Sequence, residues 1–418
     1  MKKEEIIIIP TIAKIKQKFK TNTIHNLDEK IRYEMDNVDV SKMIKPNDKI
    51  AITVGSRGID NIDKLVISVV NKVKECGGKP VIIPAMGSHG GATDEGQIKV
   101  LKTLGITEDK VGAKILSSME VEKIGVTKNN APVYLDKNAL NCDGIILMNR
   151  VKAHTDFRGN YESGLMKIMA VGLGKHTGCS TMHSYGLSNT IPQAARIIME
   201  NAPILFGIAI VENALDKTEI IKAIPKDKID SIEPELLKKS KALMPTLPFS
   251  QLDLLIVYEM GKSISGTGMD TNVLGRFKVR GVKEPKLPDY KKIAVLNLRD
   301  DSYGNALGVG LADLTTRKLV DSIDYDAMYA NVIPTSFLER GKIPVILEND
   351  FELVNTALKT IGPVENKSAK IVIIKNTMEL EEFYVSDALA PEIEENSNLE
   401  YISDFKEWKF KNNNFIWN

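Results

Sequence analysis

Apolar residues recur at helical spacing between Asn61 and Cys76, at Ile62, Leu65, Val66, Val69, Val70 and Val73, and Gly77-Gly78 follow where a helix stops. This pattern predicts an amphipathic helix. Short apolar runs flank it, KIAITV (49–54) before and KPVIIP (79–84) after, in the order strand, helix, strand of a parallel crossover unit. Further runs with the look of buried strands are GIILMN (144–149), ILFGIAIV (204–211), DLLIVY (253–258), KIAVLNL (292–298) and AKIVIIK (369–375). Strands alternating with helical patterns predict an α/β fold of two domains, each a mainly parallel sheet flanked by helices, with the active site in the cleft between them.

The charged segment EPELLKKSKAL, then Pro245 and Pro248, interrupt the pattern before it restarts at Leu252. The expected domains are therefore 1–247 and 248–418, the second also α/β. Beyond about residue 380 the pattern weakens, and this tail is expected to pack back on either domain. A chain of 418 residues with 43% hydrophobic content has enough apolar material for two cores.

Lys+Arg number 56 and Asp+Glu 55, a net charge of +1, so no general attraction to nucleic acid or anionic membrane is expected. No apolar run approaches the ~20 residues that span a bilayer. The start MKKEEIIIIP lacks the roughly 7–15 apolar residues of a secretory signal. Cys76, Cys142 and Cys179 are too widely spaced for a CxxC metal site and read as buried thiols. Together these features predict a cytoplasmic protein.

In open parallel sheets ligands bind at the carboxyl ends of strands, where glycines let the backbone come close. Four glycine-rich loops follow predicted strands here: VGSRGID with Arg57, AMGSHGGATDEGQ with His89, Gly90 and Gly91, the long RVKAHTDFRGNYESGLMKIMAVGLGKHTGCSTMHS, and EMGKSISGTGMDTNVLGR. None is a Walker motif or a GxGxxG fingerprint, so ATP or NAD binding has no direct support. Of five histidines, four fall in these loops: His89, His154, His176 and His183. Neutral imidazole ligates transition metals and passes protons near neutral pH. Arg57, framed by Gly55 and Gly58, has the planar fork that binds carboxylate or phosphate, and Lys152 or Lys262 can hold an anion as point charges. Lys167 sits among Ile168, Met169, Val171 and Leu173, surroundings that suit either a nucleophilic amine or a lysine whose stem lies along apolar surface with its head in water.

These residues resemble the nickel-pincer nucleotide lactate racemases and their wider set of 2-hydroxy acid racemases and epimerases. In that family a lysine carries the pincer nucleotide, pyridinium-3-thioamide-5-thiocarboxylic acid mononucleotide, and a histidine sixteen residues later ligates nickel. Lys167 and His183 match that spacing. The resemblance implies that 1–247 is the cofactor-binding and catalytic domain, that 248–418 completes the substrate cleft, and that Arg57, Ser163, Gly164, Gly90 and Gly91 also contact the cofactor. It further implies that His89 and His154 move protons on the two faces of the substrate, while hydride passes reversibly to the cofactor through a 2-keto acid. The implied partners are a small 2-hydroxy acid and the enzymes that build the cofactor. The lysine segment reads SGLMK rather than the family's SGG type, and NVLGRFK stands where the lactate enzymes carry a Tyr-Gln pair. Lys262 and Arg276 are therefore expected to bind the substrate, a larger or more acidic 2-hydroxy acid than lactate. His176 is expected to be structural. Two other readings of the same loops are a zinc-dependent lyase or hydrolase and a non-catalytic protein that binds hydroxy acids.

Overall fold

Two separate sheets take up the strand-forming runs, and each forms the centre of its own compact unit, residues 21–244 in one case and residues 1–20 with 245–418 in the other. The computed structural model describes residues 9–56 and 58–417. Along the chain the strands are β1 (Ile12–Gln17), β2 (Lys49–Val54), β3 (Lys79–Pro84), β4 (Lys114–Ile115), β5 (Val121–Val126), β6 (Pro132–Asp136), β7 (Gly144–Arg150), β8 (Ile204–Glu212) and β9 (Thr218–Pro225). There follow β10 (Gln251–Met260), β11 (Asp289–Leu298), β12 (Leu314–Thr316), β13 (Val345–Leu347), β14 (Ile371–Ile374), β15 (Glu382–Ser386) and β16 (Leu399–Tyr401).

In the 21–244 unit the order is β4-β3-β2-β7-β8-β9, parallel except for the antiparallel β8–β9 pair. Helix α1 (Ile62–Glu75) buries the six apolar positions read from its spacing. It covers the face of β2 that carries Ile50, Ile52 and Val54, whereas Ala51 points to the opposite core with Ile145 and Leu147 of β7. Because both faces are covered, the strands read as unbroken apolar runs rather than as alternations. Each fully buried Val, Leu or Ile contributes roughly 1.5–3 kcal/mol. Gly77, at φ 87°, ends α1 in a left-handed conformation that suits glycine.

In the other unit the order is β13-β12-β11-β10-β14-β15-β1-β16. The first five strands are parallel and the last three join antiparallel. Residues 9–20, expected with the amino-terminal domain, belong here instead: β1 pairs with β15 on one side and β16 on the other. The reason is long-range strand pairing. Ala13 and Ile15 are fully buried and their backbone groups find ladder partners only in the distant strands. The tail joins the same unit, with the Trp408 indole donating to the Pro10 carbonyl at 2.7 Å.

Among the described residues no helix is long and apolar enough to cross a membrane. All three cysteines are free.

Candidate functional site

The loops that follow β2, β3 and β7 leave the carboxyl ends of parallel strands. His89 lies in the loop after β3, exposed, and its Nδ1 is hydrogen-bonded to the Ser56 hydroxyl just beyond β2. Helix α2 (Asp94–Thr103) begins directly after this loop, capped by Thr93, whose hydroxyl accepts the Gly96 N–H at 3.0 Å. Gly90 has φ 68°, and a Cβ there would sit 2.5 Å from the Gly96 backbone, so only glycine lets the loop fold onto that first turn. Gly91, at φ 65°, faces open space. Arg57 lies outside the described residues.

His154 follows β7 and is held from several sides. Its backbone N–H donates to Glu162 at 2.7 Å, and its carbonyl accepts from the Arg158 guanidinium at 2.6 Å. Glu162 is fully buried and also accepts the Gly159 N–H at 3.2 Å; its charge is met by Lys241 at 2.6 Å. Lys152 and Ser163 exchange both backbone hydrogen bonds, at 2.9 and 3.1 Å, which closes the loop at its base. The His154 ring lies 4.6 Å from that of Phe157. Its Nδ1 accepts the Asp156 N–H at 3.1 Å, and its Nε2 faces Lys167 Nζ at 2.7 Å. The Asp156 carboxylate lies 3.6 Å from Nδ1.

Lys167, half-buried, ends the single helical turn Leu165–Lys167, which runs into a π-helical turn at Ile168–Gly172. Gly164 precedes the turn and has no side chain to cap it. The cap comes instead from Glu233 on helix α3 (Ile229–Leu243), whose carboxylate accepts the Met166 N–H at 3.0 Å. The Gly164 carbonyl in turn accepts from the Asn149 amide of β7 at 2.8 Å. Glu233 is 1% exposed, and burial pushes its carboxyl up to about 7 against the opposing pull of the amide hydrogen bonds.

The helix Lys175–Tyr185 carries His176 and His183, both exposed. Cys179, one turn before His183, is buried and lies 3.7 Å from the Ser88 hydroxyl, next to the His89 loop. Burial acts to raise its thiol pKa, but hydrogen bonding and charge from His183, with a contribution from Ser88, outweigh it and the net direction is down.

The structure thus brings His154, Lys167, Ser163 and Gly164 together, and the loop of His89 meets the helix of His183 through Ser88 and Cys179. Lys262 and Arg276 belong to the other unit. Lys262 Nζ donates to the Gly266 carbonyl at 2.8 Å. The Arg276 guanidinium binds Asp313 at 2.7 Å and the Tyr290 carbonyl at 2.8 Å. Among the described residues no cluster of three or more His, Cys, Asp or Glu side chains is disposed to hold a metal ion. Sequence reasoning missed Glu162, Glu233 and Asp156. Acidic residues are common in this chain and none of the three stands in a recognisable motif, whereas five histidines in 418 residues stand out.

Residues 4–194 match the family model of the lactate racemase N-terminal domain. Among solved structures, the lactate racemase apoprotein from Thermoanaerobacterium thermosaccharolyticum aligns with a TM-score of 0.52 at 13% identity, covering 87% of this chain and 94% of that one. This is a likeness of fold. No curated protein matches the chain. Over residues 4–194, then, the chain is similar to the lactate racemase N-terminal domain.

Proposed function

We propose that this protein is a racemase or epimerase of a small 2-hydroxy acid. The observation that carries the reading is the approach of the Lys167 amine to the His154 imidazole, 2.7 Å apart at the strand ends of the unit that contains most of the matched segment.

The nickel-pincer nucleotide expected from the resemblance needs an amine to carry it and an imidazole for the metal. The chemistry of the donor set fits. A half-buried amine faces a hydrogen-bonding imidazole, and a second imidazole stands exposed on the helix that follows. Lys167 would hold the group and His183 would supply nitrogen to nickel, a metal that imidazole suits. When bound, the group supplies a reversible hydride acceptor, so that the substrate passes through a planar 2-keto acid.

The protein's own part is proton movement and placement. His154 exchanges the substrate hydroxyl proton at Nε2, while the Asp156 N–H on Nδ1 orients the ring. His89, oriented by Ser56 at Nδ1, passes its proton at Nε2 and serves the opposite enantiomer.

The test is a panel of single-enantiomer 2-hydroxy acids offered to protein co-produced with cofactor-building enzymes. Optical purity should decay for at least one acid, intact mass should show an adduct on Lys167, and His154→Leu should lower turnover by roughly 10²–10⁴-fold while keeping the adduct. An unmodified Lys167 together with no loss of optical purity in any acid ends the reading.

A further inference from the structure

Lys175 is a buried charge that the proposed chemistry does not use. Its side chain and that of Asp136 are both 0% exposed, with Nζ 3.1 Å from the Asp136 carboxylate. The same ammonium donates to the Pro84 carbonyl at the end of β3 and to Gln97 Oε1 on α2 at 3.1 Å. Two hydrogen-bond acceptors and one carboxylate therefore surround the ammonium. Burial drives Lys175 toward its neutral form and Asp136 toward its protonated form, and each is opposed by the charge of the other.

Two further observations give this cluster a purpose. Gln97 is itself fully buried, and its amide nitrogen donates to the Gly87 carbonyl at 2.9 Å and the His89 carbonyl at 3.4 Å. Lys175 also has φ 55°, a conformation that glycine adopts without strain and lysine does not. The strained position keeps a lysine, and the ammonium is what the surrounding acceptors require. Its backbone opens the helix that bears His183, while its side chain reaches, through Gln97, the loop that bears His89.

We propose that Lys175 and Gln97 are positioning residues that lock the backbone of the His89 loop to the start of the His183 helix, so that the two imidazoles keep one relative placement. The importance of those two histidines rests on the racemase reading; the locking itself does not.

Hydrogen exchange read by mass spectrometry on the full, cofactor-free chain tests it. In the unsubstituted protein, segments 86–92 and 172–180 should open together, with protection matching to about threefold; a difference above about tenfold overturns the lock. Gln97→Glu keeps an acceptor for Lys175 but removes the donor to Gly87 and His89. It should speed exchange in 86–92 by about tenfold or more and leave α1 (62–75) at its original protection. In loaded enzyme it should lower kcat by about tenfold with KM within about twofold. Unchanged exchange in 86–92, or an equal loss of protection in α1, refutes the proposal. If the variant does not fold, the unsubstituted protein still decides the question. A loaded enzyme that racemises nothing ends the racemase reading alone, whereas uncoupled exchange in an active racemase ends the positioning role alone.

Discussion

Glu233 does two things at once at the scale of a single side chain. It caps the turn that carries Lys167, and it keeps a carboxyl where water does not reach. Its pKa is raised from 4.5 to about 7, so between those values the folded state binds more protons than the unfolded chain. Stability from this group is full below about pH 4.5 and is lost as pH rises through 7, with a total of about 3 kcal/mol. Glu233→Gln keeps an acceptor for the Met166 N–H and removes the titration. Urea unfolding from pH 5 to 8 should therefore show a smaller fall in stability for the variant, and parallel curves for the two proteins would contradict the assignment. None of this was visible in the sequence, where Glu233 lies in an unremarkable charged stretch and owes its burial to the packing of α3 against Gly164. The histidines were visible because they are scarce and follow glycine-rich strand ends.

At the scale of elements, Gly164 is the point where β7, the Lys167 turn and α3 meet. Its φ of 171° is extended backbone open to any residue, so the need for glycine is steric: a Cβ would overlap the Glu233 carboxylate. Gly164→Ala should cost about 1–3 kcal/mol in chemical denaturation, the usual penalty of overpacking. A loss below about 0.5 kcal/mol would show that Glu233 has room to move. The central strands β2, β3, β7, β8, β10, β11 and β14 were legible because a parallel strand covered on both faces must be a short apolar run. Others were not. β1, IAKIKQ, alternates apolar with Lys and Gln and gives no sign of which sheet it will join, because that choice rests on strands near residues 382–401. β12 and β13 have three residues each, too few for a period to show.

At the scale of the whole molecule, the 21–244 unit is one uninterrupted stretch with its own sheet and two cores, whereas the other unit is assembled from both ends of the chain. Residues 21–244 produced alone should melt cooperatively. The fragment 245–418 should aggregate, because removing β1 bares the edges of β15 and β16, and appending residues 9–20 should restore a sharp transition. Equal melting of 245–418 with and without that strand would dispose of the argument. The arrangement also has a consequence for synthesis. The Thr11 hydroxyl bonds to Asp387, 376 residues further on. At ~5–20 residues per second the opening strand leaves the ribosome roughly 20–75 s before its neighbours exist. During that interval an amphipathic ribbon with both flanks unpaired precedes a finished 21–244 unit, and a nascent-chain chaperone is the natural custodian of that strand.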